Sequence, residues 1–498
     1  MAQRSLLGEI RKLASQSVVY GLGTYSTRVL GFLLIPIYTR YLAPSDYGIL
    51  SLANVASNFL FLVLNLGQST AFFRSYYDFD DERGRKAVIT TSIVLTLGIC
   101  GPLCLLLIVF AEPLSRLVFG QGMYAGLFVV VCLGSAANVF LRIPFAILRA
   151  EEKVTRYAVL SVARGLAAMV LALILVVGFG SGVAGVVWSQ FVSQAVFLLL
   201  LLPGAVWGVR WTFSSPTARQ LLSFGTPYVF AGLATFVLNL SDRYFLRHYA
   251  SLHEVGIYSL AYNFGDILIL LVTALRMGYA PFVFSNMKSP GAPALYARVL
   301  TYYVAGMGLV ALAVGLFANE VITIMAAPSY RDAARVIPLV ALAQFFHGLA
   351  FMVPIGLMIQ RRPIFRTVSV LIAAGVNLGL NFLWIPRYGM MGAAWSTVVS
   401  FVLEAAFIGA FSLRLYPLPL EVGRMLRAVV VAGALYAAGT YIPEGVSILT
   451  AIGLKAGLVA VYPLLLIALG FFDAEEVEHA GTILRSVRLR LGLVAQRS

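Results

Sequence analysis

Apolar runs of roughly membrane-crossing length follow one another along the whole chain, separated by short polar breaks. Each run is too long for a strand and apolar on every side, which predicts membrane-spanning helices of about 20 residues apiece. The pattern places them near 17–39, 48–69, 87–110, 124–146, 157–177, 183–203 and 224–246, then near 256–280, 299–318, 335–358, 364–385, 391–413, 428–442 and 447–471. The thirteenth, 428–442, is the shortest. Residues 6–14 put Leu6, Leu7, Ile10 and Leu13 on one face beside Arg4, Arg11 and Lys12, predicting an interfacial helix ahead of the first span. The tail after Phe472 repeats this pattern with Val477, Ile483, Leu484, Val487 and Leu491 against Arg485, Arg488 and Arg490. The first apolar run is too long for a cleaved signal peptide and carries Arg28.

Composition agrees with fourteen spans. The 498 residues are 60% apolar and 11% charged, which excludes a water-soluble globular protein and leaves almost nothing for a soluble domain. The net charge of +15 resolves by position. With a cytoplasmic N-terminus, 24 of the 36 basic residues fall on inner segments, and only Arg40, Arg116, Arg247, Arg331, Arg335 and Arg387 fall outside. This bias predicts a multi-pass protein of the cell membrane with both termini cytoplasmic. The surplus is therefore topological, and no aromatic-interleaved basic run suggests a nucleic-acid partner.

Cys100, Cys104 and Cys132 all lie in apolar spans and read as small buried hydrophobes. His248, His253, His347 and His479 are scattered, and neither a metal-ligand spacing nor a carboxylate cluster accompanies them, so no metal site and no catalytic residues are expected.

The two halves of the chain repeat each other. Tyr41, Asp46, Gly48, Ile49, Ser51, Leu52 and Ala53 align with Tyr249, Glu254, Gly256, Ile257, Ser259, Leu260 and Ala261 at an offset of 208. Gly185, Trp188, Ser189 and Ser193 recur as Gly392, Trp395, Ser396 and Ser400 at 207, and Pro144 and Arg156 recur as Pro354 and Arg366 at 210. Three matches at nearly one offset indicate duplication. A unit of six spans gives both copies the same orientation and relates them by an axis along the membrane normal. The expected architecture is all-α: an N-lobe at 1–206 with spans 1–6, a C-lobe at 207–418 with spans 7–12, and an appended helix pair with an amphipathic tail at 419–498.

Ionisable groups inside spans cost about 2.5–3.5 kcal/mol each at the centre, so they face a cavity or a partner. Arg28 is mid-span, about 16 Å of hydrocarbon from either end, too far for its side chain to snorkel. Arg142, Arg164 and Arg276 lie nearer span ends, where snorkelling competes with a functional role. Among the acids, Asp266 is near the middle of span eight, Glu404 lies inside span twelve, and Asp242 lies toward the outer end of span seven beside Arg243. Neighbours on a helix point about 100° apart, which predicts partners on other helices for Asp242 and Arg243. Asp242, the amides of Asn377 and Asn381 and the Thr397 hydroxyl form an oxygen set suited to Na⁺; interhelical hydrogen bonding by the asparagines is the competing explanation.

Thr27-Arg28-Val29-Leu30-Gly31-Phe32, Thr39-Arg40-Tyr41-Leu42 with Asp46-Tyr47-Gly48, Leu66-Gly67-Gln68 with Arg74, and Ser241-Asp242-Arg243 with Gly256-Ile257-Tyr258-Ser259 together resemble the lipid-linked oligosaccharide flippases. These belong to the superfamily of multidrug, oligosaccharidyl-lipid and polysaccharide exporters. The resemblance covers the whole chain and implies an undecaprenyl-pyrophosphate-linked oligosaccharide moved from the cytoplasmic to the outer leaflet by alternating access, for O-antigen, capsule or exopolysaccharide assembly alongside a polymerase and glycosyltransferases. It implies Arg28, Arg74 and Arg276 as pyrophosphate ligands, with Arg40 near the outer gate; Asp46, Asp266, Arg164 and Arg243 are further gate or cavity candidates. It also implies Na⁺ or H⁺ coupling at Asp242, Asn377, Asn381 and Thr397, although Asn381 replaces an acid that would strengthen such a site. Leu34 stands where the peptidoglycan-precursor flippases carry a second span-one arginine, which argues against that substrate.

Two other readings compete. A drug or small-cation exporter of the same superfamily would want acids in its cavity, where Asp266 competes with several arginines. A membrane-embedded polymerase or glycosyltransferase would want a sizeable outer loop, yet the longest, roughly Ala318–Val336, holds only Glu320 and Asp332 as acids.

Overall fold

The computed structural model describes residues 29–207, 213–443, 445–473 and 476. Within them the expected spans form helices and no strand occurs, as hydrocarbon demands of a backbone whose polar groups must be satisfied within their own segment. Eleven of these helices are long and apolar enough to cross a membrane. The protein is an all-α integral membrane protein. The interfacial helix at 6–14, most of the first span including Arg28, and the amphipathic tail beyond Glu476 lie outside the described residues.

Differences from the expected spans have physical causes. Spans eleven and twelve run together as Ile364–Leu415, 52 residues broken only at Gly389 with φ 53° and ψ −134°. A positive φ is open to glycine at little cost, so the turn between two spans narrows to one residue. The expected span 224–246 belongs to a 35-residue helix, Ser215–Tyr249, whose last turns carry Asn239, Ser241, Asp242, Arg243, Arg247 and His248. Span eight is two helices, Leu252–Gly265 and Ile267–Asn286, meeting at Asp266. The thirteenth extends to Val422–Thr440. The stretch expected as the longest outer loop is largely ordered as the helix Ala318–Met325, the turn Pro328–Tyr330 and the start of the helix Ala333–Met352.

The chain forms two compact units. The first comprises the described residues up to Asn263 with Ile322–Val336 and Thr367–Ser400; the second comprises Phe264–Val321, Ile337–Arg366 and the residues from Phe401 onward.

In the first unit the helix Ala125–Ala150 packs on Gly182–Val206, Pro44–Asn65 and Glu82–Val109. Pro44–Asn65 starts with proline in its first turn and with the Asp46 carboxylate accepting from the Ala43 amide at 3.2 Å. Repeat-equivalent residues of this helix and of Leu252–Gly265 meet each other. The hydroxyls of Ser51 and Ser259 lie 2.6 Å apart. A Cβ placed on Gly48 would overlap the Leu252 carbonyl oxygen, and one on Gly256 the Pro44 carbonyl oxygen. Equivalent positions that touch lie on the local two-fold relating these two helices, and small residues let their backbones approach.

The second unit is centred on a cluster that includes Tyr279, Tyr296, Tyr303, Phe345 and Tyr462. The hydroxyls of Tyr279, Tyr296, Tyr303 and Tyr462 donate to the carbonyls of Met352, Val283, Phe345 and Ala305 at 2.6–3.1 Å, so the large rings are buried without orphaning their polar ends. The appended helices Val422–Thr440 and Ile448–Ala468 pack against Ala292–Leu316 and belong to this core. Lys455 Nζ donates to Glu320 Oε1 at 2.6 Å, both side chains being about nine-tenths buried. Removing one member of such a pair strands the other charge at a cost of about 3–5 kcal/mol. Lys455→Met is therefore expected to lower the thermal midpoint of the purified protein, and Lys455→Met with Glu320→Gln to restore most of it. Equal midpoints for single and double variants would show the pair to be structurally idle. Cys100, Cys104 and Cys132 are free and buried.

Candidate functional site

Several arginines of the first unit sit over aromatic rings. The Arg74 guanidinium carbon lies 4.8 Å from the Phe224 ring centroid, and that of Arg142 lies 4.6 Å from Phe61. Arg149 lies 4.7 Å from Phe73, and Arg164 lies 5.9 Å from Phe145, its carbonyl accepting from Ser193 Oγ at 2.9 Å. A ring face offers a guanidinium partial compensation, about 0.5–2 kcal/mol, while leaving its N–H edges free for another ligand. Arg74 is exposed. Arg142 lines a small cavity with Asn65, Gln68, Ser92 and Thr96.

In the second unit, Arg276 lies 4.4 Å from the Phe351 ring centroid, and Arg366 lies 5.1 Å from the same centroid. Beside them His347 Nδ1 and Glu404 Oε2 are 3.0 Å apart, with the His347 ring 4.9 Å edge-on to Phe351. Asp266 accepts from Gln344 Nε2 at 2.7 Å, at the junction of its two helices. Arg276 was singled out from the sequence; the Arg366, Phe351 and His347–Glu404 grouping was not. The available signals were Glu404 inside span twelve and the recurrence of Arg366 at the position of Arg156.

The residues expected to hold a cation do come together, within the first unit, but as a paired network. Arg243 curls back over its neighbour, its Nη1 reaching Asp242 Oδ1 at 2.9 Å, and the Arg243 backbone N–H donates to the same oxygen at 2.8 Å. The expectation that the two pair only with other helices is thus overturned: 100° of separation does not keep a long, flexible arginine from its neighbour's carboxylate. Asp242 Oδ2 accepts from the Tyr258 hydroxyl, and the Arg243 guanidinium lies 4.4 Å from the Tyr262 ring centroid. Asn381 Nδ2 donates to Asn377 Oδ1 at 2.9 Å, Ser241 donates to that oxygen at 3.3 Å, and the Thr397 hydroxyl donates to the Ala393 carbonyl at 3.1 Å. Asp242, Asn377, Asn381 and Thr397 are each at most 2% exposed. The set does not fit Na⁺ as arranged, because the guanidinium already neutralises the carboxylate and would repel a second cation. The arrangement is that of a buried, hydrogen-bonded ion pair.

Of the remaining sequence candidates, Arg40 is exposed near the end of the helix Ile35–Tyr41, and Asp46 caps Pro44–Asn65. Among the described residues no grouping of histidine, cysteine or carboxylate side chains could hold a metal ion.

Comparison with known proteins adds three findings. The profile of a family described as "Polysaccharide biosynthesis protein" matches residues 13–287. The chain is 25% identical over 307 residues to the succinoglycan biosynthesis transport protein ExoT of Rhizobium meliloti, covering 61% of this chain and 59% of that one. It is 23% identical over 291 residues to Lsg locus putative protein 1 of Haemophilus influenzae, covering 56% and 67%. The chain thus spans about three-fifths to two-thirds of the curated relatives it matches. In fold it is similar to the lipid II flippase MurJ in an inward closed conformation, at TM-score 0.71 and 13% identity over 90% of this chain and 98% of that one. It is also similar to an inward-facing multidrug resistance MATE family transporter, at TM-score 0.63 and 16% identity over 78% and 94%.

Proposed function

The chain belongs to the polysaccharide biosynthesis protein family, and from that premise we propose that it is a flippase moving an undecaprenyl-diphosphate-linked oligosaccharide from the cytoplasmic to the outer leaflet of the cell membrane. Transport proceeds by alternating access, with both termini cytoplasmic, and serves surface polysaccharide assembly together with a polymerase and glycosyltransferases. The observation that carries this reading is the seating of guanidiniums on aromatic rings, Arg74 on Phe224 and Arg276 on Phe351. A planar guanidinium fork binds phosphate oxygens bidentately, and a ring behind it leaves that fork available. Arg28 joins these two as a diphosphate ligand on the strength of its mid-span position.

A drug exporter shares this fold, but a cationic substrate gains nothing from cationic groups seated in this way. Arg276→Gln and Arg28→Ala are each expected to abolish surface polysaccharide in a strain that depends on this gene, while membrane levels of the protein stay unchanged. Normal polysaccharide in both variants would sink the assignment, and drug accumulation on deletion of the gene would favour the exporter.

A further inference from the structure

We propose that Arg276 and Arg366, lodged on the one ring of Phe351, form a diphosphate clamp within the second unit. The clamp rests on the flippase reading and specifies which groups of that unit grip the head group. Among the described residues neither guanidinium forms an ion pair, although both approach the same ring centroid, at 4.4 and 5.1 Å. Two like charges on one ring repel, so their juxtaposition is not itself a source of stability. Glu404, the acid beside them, is buried and turned to His347 at 3.0 Å, and Asp266 is engaged by Gln344. Arg276 and Arg366 thus outnumber Glu404, the acid beside them.

Exposure fits a receptor for an outside anion. Arg276 is exposed and Arg366 half-buried, so their N–H groups can reach a ligand while the ring fixes the planes behind them. The duplication supplies an independent argument. The offset of 210 that aligns Pro144 with Pro354 and Arg156 with Arg366 puts Leu141 where Phe351 stands. Leu141 is 1% exposed and Arg156 is exposed, and no cation–ring contact is formed by Arg156 among the described residues. The first copy therefore keeps the arginine without the ring, whereas the second adds both the ring and Arg276. The clamp is a specialisation of one copy and not inherited packing.

The test is binding of farnesyl diphosphate to the full-length protein in lipid nanodiscs, with inorganic pyrophosphate and farnesol in parallel. Loss of a charge-assisted bidentate contact predicts that Arg366→Gln weakens farnesyl diphosphate binding about tenfold or more, with Arg366→Lys in between. Phe351→Leu weakens it less, and Arg362→Gln, an exposed neighbour away from the ring, leaves it unchanged. Because both arginines grip one ligand, the combined Arg276→Gln and Arg366→Gln loss is smaller than the product of the single losses. Preference for farnesyl diphosphate over pyrophosphate identifies a lipid head group, and equal binding identifies diphosphate from either source; both support the clamp. Binding of Arg366→Gln within about twofold of wild type, with Arg276→Gln defective, overturns the clamp and leaves the flippase reading standing. Wild-type affinity for farnesol equal to that for farnesyl diphosphate overturns both.

Discussion

Asp242→Ala is expected to destabilise the protein by roughly 3–5 kcal/mol, the usual cost of stranding one member of a buried ion pair. The carboxylate it removes is 2% exposed and accepts from the Arg243 side chain and backbone and from Tyr258. Without it, the Arg243 guanidinium, 7% exposed, loses its carboxylate counter-ion, while the Asn239 carbonyl, at 3.1 Å, and the rings of Tyr258 and Tyr262 stay beside it. A carbonyl and ring faces compensate a buried guanidinium less than a carboxylate does. Asp242→Leu combined with Arg243→Met removes both charges together, and replacing a whole buried pair by apolar groups is often neutral. Thermal denaturation in detergent should therefore place the double variant well above Asp242→Ala, and a double variant no more stable than the single would contradict the pairing. The same comparison decides the cation question. If Na⁺ raised the wild-type midpoint and Asp242→Asn removed that effect, a cation would be displacing Arg243.

The second large effect is at Gly256. A methyl group there meets the Pro44 carbonyl oxygen, which is backbone and cannot rotate away, so the helices Pro44–Asn65 and Leu252–Gly265 must part along their line of closest contact. Overpacking costs about 1–3 kcal/mol where side chains can adjust; here the obstacle is main chain, and Gly256→Leu is expected to exceed that range and to break the Ser51–Ser259 hydrogen bond. Gly98, also inside a helix but with open space where its Cβ would be, is the control. Alanine there is expected to be neutral or stabilising, up to about 1 kcal/mol from helix propensity. Equal losses at Gly256 and Gly98 would show that the close approach does not govern stability.

What the sequence made legible was whatever depends on length, hydropathy and repetition. The spans follow from apolar run length. The offset of 208 paired Gly48 with Gly256 and Ser51 with Ser259, residues that turn out to touch across a local two-fold. Hidden were the features that depend on side-chain reach. Periodicity treats Asp242 and Arg243 as diverging, but an arginine long enough to fold back defeats that rule. Glu320 looked like a loop acid because it falls between the apolar runs 299–318 and 335–358, and only its burial against Lys455, 135 residues away, reveals a core ion pair. Phe351 carries no signal in one dimension, since its role arises from two arginines on other helices that converge on its ring. Arg28, the strongest sequence candidate, lies outside the described residues and keeps its place by position alone.

Translocation of a diphosphate-linked glycolipid can be followed directly by reconstitution. Purified protein in liposomes carrying a fluorescent undecaprenyl-diphosphate-linked oligosaccharide on one leaflet is monitored by access of a membrane-impermeant quencher. Transfer is expected well above protein-free vesicles, slowed about tenfold or more in Arg276→Gln by loss of a charge-assisted phosphate contact, and absent for the same oligosaccharide on undecaprenol without the diphosphate. Transfer no faster than in empty vesicles, or equal rates with and without the diphosphate, would contradict it.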